Sequence, residues 1–88
     1  MHKNPEFMLR QVAGRFLLAP VGEAAEKFSG MITINGTGKF LWELLEQEQS
    51  VDSLAQALVD TYQIDLERAK KDVEKLLEPI RSAGAIIE

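Results

Sequence analysis

The apolar positions of this chain change their period about a third of the way along. From Phe7 to Asn35 they fall in short runs broken by glycine and proline; beyond Asn35 they recur every three or four residues. Phe7-Met8-Leu9-Arg10-Gln11-Val12 reads as a strand and Ala13-Gly14 as a turn. Arg15-Phe16-Leu17-Leu18-Ala19 reads as a second strand, stopped by Pro20 and Gly22. The short spacing between the two runs predicts a hairpin. After a polar connection over Glu23-Ala24-Ala25-Glu26-Lys27, Phe28-Ser29-Gly30-Met31-Ile32-Thr33-Ile34 reads as a third strand. Alternate strand residues share a face, so Phe28, Ile32 and Ile34 face the core and Ser29, Met31 and Thr33 face outward. A small sheet with one apolar face needs a covering layer.

The helical part of the pattern supplies that layer. Asn35 stands at an N-cap position, and Phe40, Leu41, Leu44 and Leu45 follow at helical spacing. Gln47-Glu48-Gln49 breaks the pattern. Ser50 caps a second helix, with Asp52 in its first turn and Leu54, Ala55, Leu58, Val59 and Tyr62 as its apolar stripe. Asp65 caps a third, with Ile64 and Ala69 at hydrophobic-staple positions. Leu66, Ala69, Val73, Leu76, Leu77 and Ile80 form one face of it. Pro79 has no N–H and clashes with the carbonyl four residues back, which predicts a kink or an early end. Gly84 is a C-cap signal, and Ala85-Ile86-Ile87 is expected to add a short strand or dock as a tail. The order is β-β-β-α-α-α. The expected fold is α+β, a three-stranded antiparallel sheet followed by three helices, similar to a winged helix-turn-helix domain.

Composition narrows the chemistry. The 88 residues make one domain, 1–88, with residues 1–6 expected to be mobile. The absence of cysteine removes disulfides, thiolate metal sites and cysteine nucleophiles. No apolar run approaches the roughly 20 residues that span a bilayer, so no membrane partner is expected and the cytoplasm is the default location. A formal charge of −4 argues against a dedicated nucleic-acid binder. His2, the one histidine, has no partner in the sequence for acid–base work. Glu43, Glu46 and Glu48 fall on the solvent side of their helix. Gly36-Thr37-Gly38-Lys39 lacks the Ser/Thr that should follow the lysine of a phosphate loop, so capping explains its glycines better. Trp42 is expected to seal the core edge. Arg68, Lys70, Lys71, Lys75 and Arg81 are interleaved with Glu67, Asp72, Glu74 and Glu78, the pattern of a solvated helix laced by ion pairs. No catalytic, metal or cofactor site emerges. What remains is the third strand: if it lies beside the hairpin, one of its edges is free to pair with another chain.

These segments, taken in order, resemble the PqqD family, the RiPP precursor peptide recognition elements named for pyrroloquinoline quinone biosynthesis protein D. Gly30-Met31-Ile32-Thr33-Ile34-Asn35 is similar to the family's third strand, and Phe40-Leu41-Trp42-Glu43-Leu44-Leu45 to its first helix. Ser50 to Tyr62 resembles the second helix. Asp72-Val73-Glu74-Lys75-Leu76-Leu77, then Ala83-Gly84-Ala85-Ile86, resembles the closing pattern. Pro79 and the Gly-Thr-Gly start of the first helix depart from it. The resemblance implies a non-catalytic adaptor. It would bind the leader of a ribosomally made precursor peptide as an added strand and present it to a modifying enzyme, often of the radical S-adenosylmethionine type. Met31, Ile32, Thr33 and Ile34 would supply the backbone contacts, and Lys70, Val73, Glu74 and Leu77 the facing helical wall. Two other classes fit the same order of elements. One is a winged-helix DNA-binding module, drawing on the basic residues of the third helix. The other is an oligomerisation domain whose free edge makes a homodimer or strand swap.

Overall fold

A computed structural model describes residues 1–27 and 31–88. Its main sheet is the expected antiparallel one, β2-β3-β4 in spatial order, built from β2 (Phe7–Val12), β3 (Arg15–Pro20) and β4 (Ile32–Ile34). Phe7 pairs with Pro20 at one end of the hairpin and Val12 with Arg15 at the other. Ala13 and Gly14 both have positive φ, 51° and 77°, so the two-residue turn is of the type that matches strand twist. On the other side of β3, Phe16, Leu17 and Leu18 pair with Ile34, Thr33 and Ile32. Ile34 is buried, Ile32 half-buried, and Met31 and Thr33 are exposed, as alternation requires. Phe28, Ser29 and Gly30 lie outside the described residues.

Three helices cover the sheet: α2 (Gly36–Leu44), α3 (Val51–Tyr62) and α4 (Leu66–Ser82). Each starts at its expected cap. The Asn35 side chain accepts from the Gly38 N–H at 2.7 Å, Ser50 from Ser53 at 3.0 Å and Asp65 from Arg68 at 2.9 Å. Leu41, Trp42, Leu45, Leu54, Ala55, Leu58, Ala69, Val73, Leu77 and Ile80 close one core against Phe7, Leu18 and Ile34. Gly84, at φ 86°, ends α4. Its N–H reaches the Arg81 carbonyl, and the Ala85 N–H reaches that of Ile80.

Three local expectations change. The polar connection contains one helical turn, α1 (Ala24–Lys27), because Ala24 is buried. Residues 1–6 are held rather than loose: β1 (His2–Lys3) pairs with β5 (Ile86–Ile87), and the Lys3 N–H donates to the Leu45 carbonyl. The terminal Ile86-Ile87 thus forms the short strand, one of its two expected outcomes, in this second sheet. Finally, α4 does not stop at Pro79; it runs three residues further. A proline near the end of a long helix forfeits one ladder bond, while Val73, Leu77 and Ile80 keep the segment packed.

Candidate functional site: a strand edge and its helical wall

β4 pairs with β3 on one side, and among the described residues no strand pairs with the other. A groove of about 400 Å³ runs along that edge. One wall is Thr33, Ile34, Asn35, Thr37 and Gly38; the other is Asp72, Lys75, Leu76 and Pro79 of α4. The near wall is shaped by close packing at the start of α2. A Cβ added to Gly38 would sit 3.2 Å from the Ile34 Cβ and 3.3 Å from the Asn35 Oδ1. This glycine lets the helix begin directly against the strand.

The far wall corrects the sequence expectation. Val73 and Leu77 are fully buried and belong to the core, so their side chains do not face the groove. Lys70 turns toward α3 and pairs with Asp52 at 3.3 Å, and Glu74 is exposed outside the groove. The four wall residues stand at i, i+3, i+4 and i+7, one flank round from the core stripe Ala69-Val73-Leu77-Ile80. Helical phase permits either flank; the packing of α3 along α4 decides it. Leu76 was the available signal, an apolar residue on the 72-76-79 side, and it is half-buried. Of the expected contacts, the structure keeps Thr33 and Ile34 on the groove, with Ile32 in the same strand and Met31 exposed just before it.

The groove's charges are unequal. Asp72 lies 3.8 Å from Arg68, one turn back, whereas Lys75 makes no ion pair among the described residues. Pro79 adds an apolar ledge, and its missing N–H leaves the Lys75 carbonyl without its helical donor. The described residues contain no cluster of His, Asp and Glu able to hold a metal ion, and no helix long and apolar enough to cross a membrane. Glu43, Glu46 and Glu48 are exposed on the far side of α2 and beyond it; they pair with Lys39, Lys3 and the N-terminal ammonium.

The sheet's other edge, on β2, borders a second cleft of about 580 Å³. There Lys3 bonds Glu46 at 2.8 Å and lies 5.2 Å from the centre of the Trp42 ring, so its rim is already bridged. Trp42 itself is buried, in the sealing role expected of it.

The model of one protein family, coenzyme PQQ synthesis protein D, matches residues 8–86. The chain belongs to the PqqD family. Two solved structures share its fold at a TM-score of 0.73. One is described as lasso peptide synthetase B1 complexed with the leader peptide; it is 20% identical, with 99% of this chain and 96% of that chain covered. The other, TbiB1 in complex with the TbiA(beta) leader peptide, is 14% identical over 97% of this chain and 93% of that one. Among curated proteins none matches the chain. The family match spans the sheet, the three helices and Ile86, so it includes both walls of the groove.

Proposed function

We propose that this PqqD-family protein is a non-catalytic adaptor that binds the leader of a ribosomally made precursor peptide and presents it to a modifying enzyme. The observation that carries the reading is the β4 edge, unpaired among the described residues, facing an α4 wall across an open groove. Family membership and two like-folded structures described as leader-peptide complexes support it. The leader adds as a strand beside Met31–Ile34, with main-chain bonds giving affinity and alternate side chains entering the groove. The wall it meets is Asp72, Lys75, Leu76 and Pro79. Ordering a flexible leader costs about 2–5 kcal/mol, and micromolar to nanomolar binding needs about 8–12 kcal/mol net. A few ladder bonds plus apolar side chains over Leu76 and Ile34 are of that order. The enzyme served is of the peptide-modifying class, with a radical S-adenosylmethionine enzyme the leading candidate.

The test is a titration of isotope-labelled protein with peptides encoded beside its gene. Binding should shift the amide signals of Met31 to Ile34; peptides that bind while leaving these signals still would refute strand addition. Successive strand residues point their N–H groups to opposite sides. Of Ile32→Pro and Thr33→Pro, one should therefore abolish binding with the fold intact, and the other should weaken the β3 pairing instead.

A further inference from the structure

We infer that the groove selects a leader segment carrying a carboxylate side chain two residues from an apolar one, with Lys75 as the residue that reads the acid. This rests on the strand-addition reading and goes on to name the chemistry of the peptide.

A strand added beside β4 turns alternate side chains toward α4. Residues two apart on that strand lie about 6.6 Å apart, close to the 5.4 Å between successive turns of a helix. Two such side chains therefore match two neighbouring features of the α4 wall. One feature is apolar, made by half-buried Leu76 and the ring of Pro79 with Ile34 behind them. The other is the Lys75 ammonium. Among the residues that line the groove, Asp72 is the other ionisable one. Asp72 has Arg68 at 3.8 Å, and the strand-side wall of Thr33, Ile34, Asn35, Thr37 and Gly38 has no ionisable group. Lys75 is thus the groove's one cation without a carboxylate partner among the described residues. The protein as a whole carries −4, so a local cation also sets where along the edge an acidic peptide is tolerated.

An exposed ion pair of this kind gives a small preference, about 1.5- to 5-fold in affinity. That biases the register on an edge whose main-chain bonds are indifferent to sequence, in addition to the apolar contact.

A displayed library of random twelve-residue peptides, selected on the wild-type protein, tests this. The selected peptides should be enriched in Asp or Glu two positions from an apolar residue. Synthesised with Asn or Gln in place of the acid, they should bind about 1.5- to 5-fold more weakly. On Lys75→Glu the acid should lose its advantage and Lys or Arg should replace it. Arg10→Glu, the same charge change on an exposed position of β2 at the opposite edge of the sheet, should leave the preference standing. Binders that shift Ile32–Ile34 but show no acidic preference, or keep it on Lys75→Glu, overturn the assignment to Lys75 and leave strand addition in place. A preference lost equally in Arg10→Glu overturns it in favour of net charge. If no peptide engages the β4 edge, both readings fall.

Discussion

Lys3 bonds the Glu46 carboxylate and lies over Trp42, joining the N-terminal strand to the end of α2. That hydrogen bond, and then the attraction of the ammonium, hold Glu46 below the ordinary glutamate value of 4.5. A carboxyl depressed in the folded state contributes its stabilisation above the unfolded value and loses it as pH falls through the folded one. The Glu46 carboxyl signal should therefore titrate with a midpoint below 4.5 and move back toward it in Lys3→Gln, as followed by NMR. The residue scale also separates what looks alike in sequence. Leu76 and Leu77 are adjacent and equally apolar, yet Leu77 is fully buried while Leu76 lines the groove. Leu77→Ala should cost about 2–5 kcal/mol in denaturant unfolding. Leu76→Ala should cost about 1 kcal/mol or less, and should weaken leader binding instead.

At the scale of the element, the helix starts were legible because their signals are local. Asn35, Ser50 and Asp65 each satisfy a backbone N–H three residues on, which needs no distant partner. The hairpin was legible for the same reason. The end of α3 was not. It closes on Gln63 in the left-handed region at φ 56°, a position usually marked by glycine or asparagine. Pro79 was visible, but its effect depended on packing against residues far away in sequence. Pro79→Ala restores the donor to the Lys75 carbonyl and removes the ring's clash. It should stabilise the protein by about 1–3 kcal/mol, read as a raised melting temperature.

Over the whole molecule, three of the five basic residues of α4 are answered by neighbouring acids: Arg68 by Asp72, Lys70 by Asp52 and Arg81 by Glu88. With a net charge of −4, little cationic surface remains for a phosphate backbone. Duplex DNA should therefore show no salt-dependent binding near physiological ionic strength in a fluorescence anisotropy titration. Binding with a steep salt slope would restore the DNA-binding alternative. The second sheet, β1 with β5, is also a property of this scale. It joins the first residues to the last, and no local pattern marks Met1-His2-Lys3 as a strand.

The sequence by itself determined the order of elements, their caps, the main sheet's pairing logic and the absence of cysteine chemistry. Each follows from periodicity, short-range hydrogen bonding or composition. Only the tertiary structure decided which flank of α4 faces the β4 edge. A helix has two flanks beside its core stripe, and the spacing 69-73-77-80 is the same whichever one meets the strand. The packing of α3 against the Lys70 side left Asp72, Lys75, Leu76 and Pro79 for the groove. The free edge could be named from the chain; the wall facing it had to be seen.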